Sequence, residues 1–485
     1  MISEDKRTKY IVLLLFAAGI FVRFYFYFGH VFSDDGYYDY LAYTLFKGNF
    51  GADYLGYPIC LIRTGQSYIT ALSFSLFGTN EAAATVFPML FSILNMVLNY
   101  KITKIITKSE ITAVIVLLFT AFYPTEILFA SIAFTDLFST VFINFGILLL
   151  FIADMDKRYF YAVLSGLSFA LSVTFKINVF YTAILLSALF LFLLIWKKSF
   201  NKYILISLAV LGAGMCLEGV IYYFINGDIF YRLTLMSEVS AFSKHDFFNE
   251  GSAFGFAGSN YLVNLSKLLF IENPSAVFLR RSMALIPLLA VLHLLVHRKL
   301  RKNRLVVYWF TGLSVLYMFF TMSLSSYQPI VIRFTWYLFP LFLPAMILAS
   351  KLFSEMKKRW MLISLVAYII FSLFMTAHFR RYFDMDNINK FKQFVKANCD
   401  KQIYADHFTK YSIDLIDRYK QPSRVVRLNY SGENSIPSGS FVVCHPGHIS
   451  EIAKQGFSYP DENFYRSNSF EQVERFGPFI VFLKK

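Results

Sequence analysis

Charge is scarce in this chain of 485 residues: Asp, Glu, Lys and Arg make up 16% of it and hydrophobic residues 57%. Soluble domains carry about a quarter charged residues and are about half apolar, so a soluble globular protein is excluded. Cysteine is scarce too, with only Cys60, Cys216, Cys399 and Cys444. Four residues do not dictate a pairing. A bridge between Cys399 and Cys444 stands beside two unpaired structural thiols, which cysteine usage favours. No glycine-rich phosphate loop and no HExxH motif occur. There is no internal repeat of fixed period and no low-complexity tract.

Long apolar runs fill the space. A run of about eighteen or more residues with few charges reads as a spanning helix, whose backbone groups are satisfied internally, as lipid demands. Spans are expected near 10–28, 82–100, 110–123, 127–151, 159–175, 179–196, 203–225, 277–297, 305–322, 336–350 and 360–377. The 57 Phe and 32 Tyr suit lipid-facing surfaces and interfacial belts. No small-residue cleavage site follows the first run, so it is expected to be an uncleaved helix.

The net charge of +15 sits largely in short loops between these runs. Examples are Lys101, Lys104 and Lys108; Lys197, Lys198 and Lys202; and Arg298, Lys299, Arg301, Lys302 and Arg304. With the N-terminus inside, every strongly basic short loop falls on the cytoplasmic side, as the positive-inside rule requires. The charge therefore reports topology, and a nucleic-acid partner is not expected. None of these loops is long enough to bind a nucleotide, which argues against an ATP-driven pump.

Three segments then lie outside: 29–81, 226–276 and the tail after residue 378. Within them Ser67–Phe77 reads as an interfacial or re-entrant helix and Asn260–Phe270 as a surface helix. The expected domains are a membrane domain, 1–378, and a soluble extracytoplasmic α/β domain, 379–485. In the latter, helices are expected at Asn387–Ala397 and Thr409–Tyr419. Strands are expected at Gln402–Ala405, Arg424–Leu428, Ser440–Cys444 and Pro478–Leu483, with a turn-rich loop at Asn434–Gly439.

Chemistry is expected in three places. The first is Asp34-Asp35-Gly36-Tyr37-Tyr38, just outside the first span. Adjacent acids there can act as a general base, ligate a divalent cation, or sit in a solvated turn. The second is Asp136, near the outer end of an apolar span, where an acid costs about 2.5–3.5 kcal/mol and so faces a cavity or partner unless it favours the helix dipole. Glu126 fits a first-turn cap better. The third is a set of cations against the topological trend: Arg63, Lys176, Arg280, Arg281 and Arg333. They suit an outer-leaflet phosphate, or they snorkel to headgroups. Glu218, deep in a span, is expected to pair with one of them or to serve packing. His445 and His448 are separated by Pro and Gly, which breaks helical metal spacing, so no metal is expected there.

With these residues in place, the chain resembles the polyprenyl-phosphate-sugar-dependent glycosyltransferases of the GT-C fold, in particular the protein O-mannosyltransferase and aminoarabinose-transferase-like families. The resemblance rests on Asp34-Asp35-Gly36-Tyr37-Tyr38, Tyr57-Pro58, Arg63-Thr64-Gly65, Leu76 to Ala83, Tyr123-Pro124, Phe134-Thr135-Asp136, Ser165 to Lys176, and Arg333-Phe334 with Pro340. Phe334 departs from the family's tyrosine. The resemblance implies a mainly α, multi-pass bundle with a small outer domain. It implies transfer of a sugar from a polyprenyl or dolichyl phosphate to a protein, lipid or glycan acceptor, with inversion. Asp35 or Asp34 would be the base and Asp136 a positioning group or cation holder. Arg63, Lys176, Arg280, Arg281 and Arg333 would meet the lipid phosphate, and Tyr37, Tyr38 and Glu218 would contact substrate. A divalent cation stays open as cofactor. A transporter or flippase of lipid-linked sugars is the alternative.

Overall fold

The computed structural model describes residues 4–49, 61–236, 274–296, 304–319, 338–420, 424–428, 436–453 and 469–485. The chain is mainly helical. Its N-terminal part comprises α1 (Glu4–Tyr25), α2 (Asp34–Phe46), α3 (Thr64–Phe77), α4 (Glu81–Thr107), α5 (Glu110–Phe122), α6 (Pro124–Phe129), α7 (Thr135–Asp156) and α8 (Tyr159–Phe175). Next come α9 (Val179–Trp196), α10 (Lys202–Asn226), α11 (Pro274–Val296), α12 (Arg304–Phe319), α13 (Phe339–Ser354) and α14 (Lys358–Tyr382).

Among the described residues, six helices are long and apolar enough to cross a membrane: α1, α4, α7, α9, α10 and α14. Shorter apolar helices occupy the remaining expected spans. The expected span 127–151 is divided. Pro124 opens the short helix α6, and residues 130–134 then turn before α7 begins. Proline suits the first turn of a helix, where its missing N–H is not needed. The turn is fixed from outside, since Ser131 Oγ accepts from the Phe28 amide at 2.9 Å.

The break frees backbone carbonyls at the end of α5, and Arg23 takes them. Its guanidinium, fully buried, donates to Ala121 O at 3.0 Å, Thr120 O at 3.2 Å and Ser92 Oγ at 2.7 Å. A cation at a helix C-terminus opposes the dipole's negative end and satisfies orphan acceptors that lipid would leave dry. Glu126 lies in the same layer. It is in the first turn of α6, as a cap would be, but its Oε1 accepts from Asn95 Nδ2 at 2.6 Å. Asn144 Nδ2 links Asn95 and Asn99 at 3.0 and 3.1 Å. Helix packing elsewhere relies on absent side chains: a Cβ on Gly166 would lie 2.5 Å from the Ser207 carbonyl, so α8 and α10 meet backbone to backbone.

The tail holds α15 (Met385–Ala397), β1 (Ile403–Ala405), α16 (His407–Ile416), β2 (Val425–Arg427), β3 (Phe441–Cys444), α17 (Pro446–Ala453), β4 (Phe470–Phe476) and β5 (Phe479–Lys484). The sheet order is β2-β1-β3-β5-β4, with β1 parallel to β2 and β3, and β5 antiparallel to β3 and β4. Alternation along each strand serves two faces. Val443, Val481 and Phe479 join the core that runs through α15 into the bundle. Val442, Ile480 and Phe482 pack with Tyr37, Tyr38 and Leu41 of α2. The sheet is therefore clasped between α15 and α2.

Two tail elements differ from expectation. β4 was not expected, because Glu471, Gln472, Glu474 and Arg475 make it look like a loop; charge on an edge strand prevents unwanted pairing. A helix also begins at Pro446, so the Pro-Gly pair opens α17 and brings His445 and His448 together, ring centroids 3.6 Å apart. Cys399 is exposed and Cys444 buried in β3, and both are thiols, so no bridge joins them. The expected helix Asn260–Phe270 lies outside the described residues, as do Cys60 and most of the Asn434–Gly439 loop's first half.

Candidate functional site

Four elements converge outside the ends of the spans. α2 brings Asp34 and Tyr38, the N-cap of α3 brings Arg63, the first turn of α7 brings Asp136, and the residue after α8 is Lys176. Gly65 explains how α3 approaches so closely. A Cβ there would lie 2.4 Å from Thr174 Oγ1 and 2.8 Å from the Phe175 ring. Only glycine lets Arg63 reach the end of α8.

Lys176 and Asp136 form a buried ion pair through Nζ and Oδ1. Arg63 and Asp34 lie close enough to act electrostatically on the same ammonium. Arg63 Nη1 donates to Tyr38 Oη at 2.6 Å. Tyr317 of α12 lies within electrostatic range of Asp136, and its ring packs against Tyr181 of α9 at 4.7 Å. The backbone behind the pair is fixed: Ser172 Oγ donates to Ser139 O at 3.0 Å, which pins α8 to α7. Two carboxylates and two cations thus form one electrostatic cluster, with Tyr38 bonded to Arg63 and Tyr317 near Asp136.

Asp34 and Asp35 are adjacent but have different surroundings. Asp35 is buried, and its carboxylate accepts from the amides of Val31 (2.6 Å), Ser33 (2.7 Å) and Gly36 (3.1 Å). Between the first two amides Phe32 adopts φ 60°, so the loop wraps the carboxylate in a nest of N–H groups. Such a carboxylate is committed to holding the helix start. Asp34 is half-buried on the side of Lys176. Among the described residues no group of three or more His, Cys, Asp and Glu is disposed to hold a metal ion.

The tyrosines divide likewise. Tyr38 meets Arg63, whereas Tyr37 packs into the tail against Phe408 and Tyr411, at 4.9 and 5.3 Å. Glu218 lies apart from this cluster. It pairs through both oxygens with Arg232 and ties residues 228–236 back to α10. Arg280 and Arg281 fall in the second turn of α11, and their side chains lie outside the described residues, as does Arg333.

Sequence reasoning missed three contributors. His30 bridges Asp35 and Asp39, with Nδ1 3.2 Å from each. Glu81 binds Lys392 of α15 at 2.5 Å and the His30 amide at 2.8 Å. Tyr317 has no polar neighbour in sequence. A buried histidine beside an acidic motif was the one signal available.

Residues 65–183 match the family model described as dolichyl-phosphate-mannose-protein mannosyltransferase. No curated protein matches the chain by sequence. Solved structures share its architecture. ArnT from Cupriavidus metallidurans, in a crystal structure bound to undecaprenyl phosphate, superposes with a TM-score of 0.62 at 12% identity, covering 97% of both chains. The apo Archaeoglobus fulgidus oligosaccharyltransferase superposes with a TM-score of 0.58 at 11% identity, covering 97% of this chain and 73% of that one. The same enzyme tethered to an acceptor peptide containing the NVT sequon gives 0.55 at 10% identity, covering 99% and 74%. These likenesses give the transporter alternative no support. The chain therefore shares the GT-C fold of these glycosyltransferases, and its residues 65–183 carry the match to the mannosyltransferase family model.

Proposed function

We propose that the chain transfers a sugar from a polyprenyl-phosphate donor to an acceptor on the extracytoplasmic face, within a catalytic membrane domain 1–378 capped by the outer domain 379–485. The observation that carries this reading is the cluster in which Asp34, Arg63, Asp136 and Lys176 act on one another. ArnT and the archaeal enzyme, of the same fold, were crystallised with undecaprenyl phosphate and with an acceptor peptide.

In this reading the acceptor oxygen or nitrogen attacks the anomeric carbon, and Asp34 takes its proton. The bond from that carbon to the phosphate oxygen breaks, and the electron pair leaves with the lipid phosphate. A phosphate is a weak base and needs charge stabilisation more than protonation, which preorganised cations in a partly dry site supply. Lys176 and Arg63 provide it, with Arg280, Arg281 and Arg333 as further candidates. Asp136 holds Lys176 in place. Asp35 acts by fixing the start of α2, so the base assignment moves to Asp34. Mannose is the first sugar to test, given the family description, and a protein the first acceptor. The N-terminus is cytoplasmic and the tail outside.

The test is incubation of the purified full chain in lipid nanodiscs with polyprenyl-phosphate mannose and membrane proteins as acceptor. Acceptor-dependent release of polyprenyl phosphate supports the reading. Inactivity with every polyprenyl-phosphate sugar tried would count against it.

A further inference from the structure

His30 lies in the turn between α1 and α2 and is 2% exposed. Its hydrogen-bond partners fix its protonation. Ser412 Oγ on α16 donates its only hydrogen to Phe408 O at 2.8 Å, so it must accept from His30 Nε2, 2.7 Å away. Nδ1 lies 3.2 Å from Asp35 Oδ2 and from Asp39 Oδ2, and the Asp35 carboxylate, already the acceptor of three backbone amides, has no hydrogen to give. Both ring nitrogens therefore carry hydrogen, and His30 is an imidazolium.

The surroundings make this a joint between two parts of the chain. Gly36 of α2 sits against α16, where a Cβ would lie 2.9 Å from Ser412 Oγ. Phe32, held at φ 60°, inserts its ring between His30, Phe391 of α15 and Phe479 of β5. A left-handed backbone at a bulky residue is unfavourable and persists only where its surroundings enforce it.

We propose that His30 is a positioning residue: its imidazolium fastens the start of α2 to the outer domain and so aims Asp34 at the Lys176–Arg63 cluster. The role given to Asp34 rests on the transfer reading above; the fastening does not. The outer domain thereby becomes part of the catalytic geometry, since the carboxylate that caps α2 is itself held through a residue bonded to α16.

The charged and titratable groups facing this joint are Asp35 and Asp39 of α2, Glu81 of α4, Lys392 of α15, and Tyr27 and Tyr419. Burial opposes the charge on His30, but Asp35 and then Asp39 outweigh it and raise its pKa above the ordinary imidazole value. Burial pushes Asp39 up to about 6. Both shifts are upward, so the folded joint binds protons more tightly than the open chain. Each contribution is complete below the group's unfolded value, so that of Asp39 is lost as pH rises from about 3.8 through about 6 and that of His30 only later, through its raised value.

The test is hydrogen exchange of the full chain in nanodiscs across pH 5 to 9 (about two units either side of neutrality), with undecaprenyl phosphate titrated as a separate probe. For wild type, segments 30–40 and 407–416 should lose protection as pH rises, beyond the intrinsic exchange rate. His30→Gln should expose 30–40 about tenfold faster at the acid end, the loss of a charged hydrogen-bond set. It should also abolish the pH dependence and leave probe affinity unchanged. Protection in His30→Gln equal to wild type at every pH would overturn the proposal. If His30→Gln does not fold, Ser412→Ala is the deciding variant: loosening of both segments supports the proposal, and no change in either overturns it. Failure of wild type to bind the probe would contradict the transfer reading and leave the exchange result to decide the joint.

Discussion

The Lys176 ammonium is paired with the Asp136 carboxylate in a buried contact between the end of α8 and the first turn of α7. Neither charge is stable there alone, since desolvation of a single ion costs several kcal/mol. The pair keeps a cation ready where α8 ends and α7 begins, and Asp34 and Arg63 lie within its field.

Removing one partner separates the two roles of this pair. Lys176→Met should weaken binding of undecaprenyl phosphate about tenfold or more, as one charge-assisted hydrogen bond is lost. Asp136→Asn should lower stability by about 3 kcal/mol or more by leaving Lys176 buried without its counter-charge. The double variant Lys176→Met/Asp136→Asn should regain much of that stability but none of the lipid affinity. Thermal unfolding and lipid titration of the three proteins check this.

Arg63 offers a planar fork of donors held by Tyr38. Arg63→Lys keeps the charge and loses the fork, so donor affinity should fall about tenfold. Tyr38→Phe removes only the orienting acceptor and should have a smaller effect. Equal losses in the two variants, by lipid titration, would assign the binding to Tyr38 instead.

Asp35→Asn should act on stability. The amide has one acceptor oxygen where the carboxylate uses two to accept from three backbone N–H groups, and its NH2 would face donors. A cost of about 1–3 kcal/mol is expected, read as a lower melting temperature with faster exchange in residues 31–36.

Arg23→Met should destabilise the bundle by about 3 kcal/mol or more, since the carbonyls of Thr120 and Ala121 lose their donor in a water-free layer and the nearby Glu126 its counter-charge. Melting in detergent with and without the substitution measures it.

Much of the bundle was legible because lipid leaves the backbone one solution: apolar runs long enough to span became helices, with α8 and α9 matching 159–175 and 179–196 to the residue. The break at residues 130–134 was not legible, since apolar residues surround it and the interruption comes from Pro124 and from Ser131 binding the end of α1. The site was half legible. Asp136 and Lys176 stood out as charges in apolar surroundings, and the structure pairs them. Which of Asp34 and Asp35 faces the cluster depends on a nest built around Phe32, and nothing in a dipeptide of two identical residues encodes it. Glu218 was visible as a charge within an apolar run, but its partner Arg232 lies in the segment after α10 that charge counting assigns to water. β4 was hidden by the charges that protect its edge.

The most direct measurement is acceptor-dependent release of polyprenyl phosphate by wild type, Asp34→Asn and Asp35→Asn in nanodiscs, with each protein's fold confirmed by its melting temperature. Loss of the proton acceptor should reduce turnover by about 100-fold or more in Asp34→Asn with its melting temperature unchanged. Equal turnover in wild type and Asp34→Asn would contradict the assignment of Asp34 as the base and with it the proposed mechanism.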